Sequence, residues 1–253
     1  MLKDVLLFFV GIIVGNMNAI AGGGTLVGFP VLLGVGLPAL TADATSYIAV
    51  LPGQIASAIG YRNYLRKVPK LYLWLLIPCA AGAAIGAYFL RHTSFTHFES
   101  IVPALVLTAV LMFALQPLLH FHFIRHLRSK HKDTLKLVLL GLALLVMTTY
   151  GGYFGAGLGF ALLALLSFTN QHEIHTMNGM KNVAGIVVVS VAIISVYSAH
   201  IISWKHGLIM GAGNLIGGFM GARLAQRVSS HAIRIIVIAI GFTTAAYLAV
   251  RYH

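Results

Sequence analysis

Charge is what this chain has least of, and acidic charge above all. Among 253 residues only five are acidic, Asp4, Asp43, Glu99, Asp133 and Glu173, and all charged residues together make up 9%. A soluble domain carries about 25%, so these few charges cannot cover a water-facing surface. There is one cysteine, Cys79, which excludes a disulfide-built secreted scaffold. Gly-x-Ser-x-Gly, His-Glu-x-x-His and the nucleotide-binding glycine motifs are missing as well. Nothing in the chain points to an enzyme, a nucleotide-driven pump or a bound cofactor.

What is present is apolar. Hydrophobic residues reach 59% and the mean hydropathy is +0.91. Runs of about 18–22 apolar residues follow one another, each able to cross roughly 30 Å of hydrocarbon. The fold class is therefore an all-α polytopic membrane protein. The net charge of +12 sits in short loops between apolar runs, as cytoplasmic loops of membrane proteins do. No basic, aromatic-interleaved segment outside the membrane calls for nucleic acid. The first run, Val5–Ala21, leads through glycines into a second, so it is expected to be retained.

Two halves are legible. Residues 1–120 form a first transmembrane repeat, 121–136 a basic cytoplasmic linker, and 137–253 a second repeat. Each half opens with a glycine-broken apolar segment (Val5 to Val35, Leu137 to Phe168). Three unbroken spans follow in each, starting near Thr45, Leu71 and Ile101 in the first half and near Asn182, Gly207 and Ile233 in the second. Gly82-Ala83-Ala84-Ile85-Gly86-Ala87 resembles Gly217-Gly218-Phe219-Met220-Gly221-Ala222. Repeats with a broken span in matching positions are the sequence mark of a secondary transporter and of its binding site. The loops at 62–70 and 120–136 hold nine of the seventeen Lys and Arg, which puts both on the cytoplasmic side. Charge counting does not choose between a broken segment that crosses once and one that turns back. A hairpin leaves three crossings per half, an odd number, and so predicts inverted repeats.

The breaks carry the candidate chemistry. Irregular backbone at membrane depth is tolerated only where protein buries it or it lines a wet cavity. Gly22-Gly23-Gly24, with Asn18 and Thr25 beside it, would expose the N–H groups that begin a half-helix, which suits an anion. Tight helix packing through small residues is the alternative. The second break holds Tyr150, Tyr153, Gly155 and Gly157, whose hydroxyls and backbone could serve the same anion. Lys181 opens a long apolar span between Asn178 and Asn182, and the matching place in the first half reads Asp43-Ala44-Thr45-Ser46. A cation beside two amides and a helix N-terminus fits a small oxyanion, and Thr45 and Ser46 bring small hydroxyls to the matching place. Asp43 and His175 are candidates for coupling through titration. The other histidines, among them His120, His122, His126, His131 and His172, lack the carboxylate and cysteine partners of a metal site, so no metal is expected.

These residues carry a family resemblance. Asn18-Ala19-Ile20-Ala21-Gly22-Gly23-Gly24-Thr25-Leu26, Phe29-Pro30, Ala42-Asp43-Ala44-Thr45-Ser46 and Gly60-Tyr61-Arg62 resemble the sulfite exporter TauE/SafE family. So do Tyr150-Gly151-Gly152-Tyr153-Phe154-Gly155-Ala156-Gly157, Met177-Asn178-Gly179-Met180-Lys181-Asn182 and Gly221-Ala222-Arg223-Leu224-Ala225. The resemblance implies a multi-pass permease of a bacterial-type cytoplasmic membrane, moving small anions such as sulfite or sulfoacetate. Relatives often read Ala-Asn-Ala-Thr-Asn where this chain has Asp43 and Ser46, a change that bears on substrate identity. The partners expected are a small anionic substrate and the lipid bilayer; a homo-oligomer is compatible with the sequence. A non-transporting assembly partner and an integral-membrane enzyme are the competing classes.

Overall fold

The computed structural model describes residues 2–127, 133–167, 169, 173–225 and 230–252. Among them there are helices and no strands. The first half contains α1 (Leu2–Ile20), α2 (Gly24–Gly34), α3 (Ala39–Gly60), the one-turn α4 (Arg62–Leu65), a 3₁₀ segment at Lys70–Leu75, α5 (Leu76–His92) and α6 (Phe95–Leu127). The second contains α7 (Asp133–Tyr153), α8 (Leu158–Leu166), α9 (Ile174–Val196), a 3₁₀ turn at Tyr197–Ala199, α10 (Trp204–Leu224) and α11 (Ser230–Tyr252). Helix thus extends from both sides into the segment expected to be a linker at 121–136. Residues 128–132 of that linker, with His131, lie outside the described residues, as does His172.

Both glycine breaks are turns that reverse the chain. Lys3 Nζ at the start of α1 donates to Val35 O just past α2, at 2.9 Å, so α2 returns along α1. At the second break Leu158 of α8 packs on Gly151 of α7, and Leu162 shares a cluster with Leu140 and Leu144. With 11 and 9 residues, α2 and α8 rise about 16 and 14 Å, half a hydrocarbon core.

Directions follow from which residues face each other. Gly11 faces Met210, Gly15 faces Asn214 and Gly217 faces Ile12, so α1 and α10 run parallel. Gly53 against Asn214 and Gly60 against Ala222 set α3 parallel to them. Gly82 meets Leu145 and Thr148, and Gly86 meets Thr149 and Tyr153, so α5 and α7 are parallel. Gly179 against Tyr61 and Gly185 against Gln54 set α9 antiparallel to α3. An added Cβ on Gly11, Gly213 or Gly217 would run into facing backbone, so α1 and α10 approach as closely as small residues permit.

Outward faces are apolar. Val5, Leu6, Phe9 and Ile13 of α1 are exposed, and so are Val138, Leu139, Leu142 and Val146 of α7, each pair 133 positions apart. Among the described residues, Leu2–Ile20, Lys70–His92, Phe95–Met112 and Ile174–Ala199 are long and apolar enough to cross a membrane. The inner helices α3 and α10 are as long but more polar. Each still exposes apolar side chains, Ile55 and Ile59 on α3 and Leu208, Leu215 and Ile216 on α10.

Two boundaries differ from the sequence reading, for one reason. The second spans were expected to begin near Thr45 and Asn182; the helices begin at Ala39 and Ile174. Asp43, Thr45 and Ser46, and likewise Asn178, Lys181 and Asn182, are therefore inside helices, all of them buried. Polar residues ended the apolar pattern in the sequence, but they face protein interior and do not end the helix.

Candidate substrate site

The two breaks meet. A Cβ on Gly22 would lie 2.7 Å from the Gly159 carbonyl carbon, and Thr25 Oγ1 lies 3.5 Å from Gly155 O. The residue held in the left-handed region is Gly22, at φ +100°. Its neighbour Gly23 sits at φ −100°. In the second break the left-handed residue is Gly157, at φ +83°, directly before α8.

Between the breaks lies a cavity of about 30 Å³, lined by Asn18, Gly22, Thr25, Ser46, Tyr47, Gln54, Gly155, Lys181 and Asn182 among others. Its lining pairs up across the halves. Asn18, Gly22 and Thr25 stand 133 positions before Gly151, Gly155 and Leu158, and Ser46, Tyr47, Val50 and Gln54 stand 135 before Lys181, Asn182, Gly185 and Val189. Along α3 and α9 these residues fall around the middle of each helix.

Lys181 is 3% exposed, and among the described residues no carboxylate accepts from it. Its ammonium donates to Asn18 O at 2.6 Å and to Asn178 Oδ1 at 3.0 Å. Asn18 O belongs to the last turn of α1, where carbonyls lack helical partners and the partial charge is negative. The sequence reading put Lys181 at the positive start of its own helix; it acts instead on the negative end of another. An ammonium has three protons, and one is left for the cavity. Asn18 Nδ2 and Asn182 Nδ2 are buried and have no hydrogen-bond partner among the described residues, nor has Gln54 Oε1. Leaving such groups unmet costs about 1–3 kcal/mol each.

One N–H group of each break is held by a side chain. Gly24 N donates to Asn18 Oδ1 at 2.8 Å, and Gly155 N to Asp43 Oδ1 at 3.3 Å. An amide thus takes one of the N–H groups of the first break and a carboxylate one of those of the second. Asp43 is 1% exposed, and its other oxygen accepts from Tyr47 Oη at 3.2 Å. No cation pairs with it among the described residues.

Residues 7–248 match the family described as sulfite exporter TauE/SafE. The chain belongs to that family. It is 26% identical to a probable membrane transporter protein of Haemophilus influenzae, over 95% of this chain and 92% of the relative. It is 27% identical to the probable membrane transporter protein ORF9 of Sinorhizobium sp, over 96% and 90%. It is 26% identical to the probable membrane transporter protein YfcA of Escherichia coli K12, over 98% and 90%. No solved structure matches it. This TauE/SafE chain is a multi-pass membrane transport protein.

Several residues expected at the site stand apart from the cavity of the TauE/SafE chain. Tyr150 Oη donates to backbone carbonyls, with Leu105 O at 3.1 Å and Ala156 O at 3.3 Å, and Tyr153 Oη pairs with Thr93. Thr45 Oγ1 accepts from Ser203 N. Gly23, Gly24, Gly157, Asn178 and Asp43 lie one residue or one contact behind the lining. His175 stacks on Tyr61 and Tyr64, with ring centroids 6.2 and 5.1 Å away, beyond the end of α3. Tyr47 and Gln54 were missed. The signal for Gln54 was an isolated amide in the apolar run Ile48–Ile55; for Tyr47 it was the 135-residue register with Asn182. Among the described residues no group of three metal ligands occurs.

Proposed function

We propose that the cavity between the breaks binds a small anion, a sulfur oxyanion or organosulfonate such as sulfite or sulfoacetate, and that the protein is its secondary transporter. One observation carries the reading: a buried ammonium shares a cavity with two buried amide donors that have no partner. A charge with neutral donors around it and no competing carboxylate in the lining fits a compact anion. At about 30 Å³ the cavity has room for about two waters. Binding a sulfonate therefore requires the breaks to part, which is the motion alternating access needs.

The halves support that mechanism. Helices α1, α3 and α10 run one way and α9 the other, while the residues pairing across the cavity come from α1 and α7 and from α3 and α9. Repeats of opposite direction with half-helices meeting at the centre are the general plan of such carriers. Thermal stabilisation of detergent-solubilised protein by a panel of sulfite, sulfoacetate, thiosulfate, lactate and acetate tests the reading. Stabilisation by the sulfur anions is expected. If none of the panel shifts the melting temperature, the non-transporting assembly partner becomes the better account.

Asp43 is the proposed coupling group. It binds the second break through Gly155 N, and Tyr47 and Tyr150 are the titratable neighbours around it. A proton on Asp43 would weaken its hold on Gly155 N and so couple protonation to separation of the breaks. One pH unit is worth about 1.4 kcal/mol per proton, about tenfold accumulation. In proteoliposomes, Asp43→Asn is expected to lose accumulation driven by a pH gradient while retaining exchange of anion down its own gradient. Undiminished gradient-driven accumulation in Asp43→Asn would exclude the role.

A further inference from the structure

A second cavity, of about 310 Å³, lies beside the basic loop, between the 3₁₀ segment at Lys70–Leu75, α5 and α9. Its walls are apolar, with Leu73, Cys79, Leu144, Met180 and Ala184 among them, and Lys70 stands at its rim. That volume is about twice that of an engineered apolar cavity that takes up benzene, about 150 Å³. The matching place, between α10, α3 and α1, is closed. There Gly207 packs on Ile48, Gly211 on Pro52 and Gly11 on Met210. At separations of 135 and 133, Gly207 and Gly211 correspond to Tyr72 and Leu76, and Gly11 corresponds to Leu144. These larger side chains stand where glycines close the matching place, while α5 stays packed on α7 through Gly82 and Gly86. The 3₁₀ segment occupies the place that the first turns of α10 fill in the other half.

The surroundings name an occupant. Lys70, Arg62, Arg66 and Lys67 are all exposed on the same loop, and the cavity mouth carries Leu73, 57% exposed, next to the exposed Trp74. In a membrane protein the molecule reaching an apolar opening at that depth is lipid. A cluster of basic residues at its rim selects an anionic headgroup. We infer that this cavity binds one acyl chain of an anionic phospholipid whose phosphate is held by Lys70 and its basic neighbours. The site also touches the transport machinery. Met180 and Ala184 line the lipid cavity, whereas Lys181 and Gly185, next to them on α9, line the polar one. A chain in the cavity braces α9 from behind its substrate-facing side.

Binding can be read without any transport assay, so this inference stands or falls apart from the proposed substrate. Native mass spectrometry of the full chain with equal amounts of phosphatidylglycerol and phosphatidylcholine supplies the measurement. Wild type is expected to retain one phosphatidylglycerol in preference to phosphatidylcholine. Lys70→Gln should reduce that preference about fivefold, the factor one basic residue is worth at an anionic surface. Ala184→Phe, which fills the cavity, should abolish retention of both lipids. Cys79 gives an internal check because it is the only cysteine and lines the cavity: phosphatidylglycerol should slow its reaction with an apolar maleimide in unmutated protein. Equal retention of the two lipids by wild type overturns the anionic assignment. Unchanged lipid retention by a folded Ala184→Phe, or Cys79 labelling indifferent to lipid, overturns the site.

Discussion

Lys181→Met is expected to lower affinity for the transported anion about 10- to 150-fold, the worth of a charge-assisted hydrogen bond of roughly 1.5–3 kcal/mol. The methionine keeps the length and apolar packing of the stem, so the cost to folding is confined to the contacts of the ammonium. Those are Asn18 O and Asn178 Oδ1; losing them removes one tie between α9 and the end of α1. Lys181→Arg is expected to impair binding too, since a planar fork must enter a space of about 30 Å³ built around a compact ammonium. Titration calorimetry with sulfite and sulfoacetate on monodisperse protein measures both. Wild-type affinity in a folded Lys181→Met would remove this residue, and with it the assigned site.

Gly22→Ala is expected to damage both folding and transport. Two costs coincide there. At φ +100° an alanine is strained by about 1–3 kcal/mol. Its Cβ would also sit 2.7–3.0 Å from the Gly159 backbone, where no flexible side chain can yield, and overpacking adds about 1–3 kcal/mol more. Gly36 separates the two effects. Its φ is +106°, yet a Cβ there meets nothing within 4 Å, so Gly36→Ala should show the backbone strain alone. Melting temperatures in detergent and anion transport in proteoliposomes are the readouts. Gly22→Ala should lose transport and about twice the stability that Gly36→Ala loses, with Gly36→Ala keeping transport. Equal behaviour of the two variants would show that close contact of the breaks is unimportant.

Much of this protein could be read from residue order alone. Scarce charge and long apolar runs determine a helical membrane protein, because no other fold satisfies backbone hydrogen bonds in lipid without long-range strand pairing. Stacked glycines flanked by Asn18 and Thr25 marked the first break, and Gly155 and Gly157 the second. A lone cation, Lys181, marked the place where charge is costly to keep. These are local signals: each depends on a residue type and its near neighbours in sequence.

Which of those groups meet, and in what state, was decided by tertiary structure. Residue order showed amides and hydroxyls at both breaks but not that Asn18 and Asp43 already occupy the N–H groups of Gly24 and Gly155. Nor did it show that Tyr150 and Tyr153 spend their hydroxyls on Leu105, Ala156 and Thr93. Helix starts at Ala39 and Ile174 were hidden because apolar periodicity reports exposure to lipid, and α3 and the first turns of α9 face protein. Gln54 and Tyr47 join the cavity only because α3 lies antiparallel to α9, a contact between residues more than a hundred positions apart. Such contacts are set by how whole helices pack, and a sequence pattern one or two turns long carries no record of them.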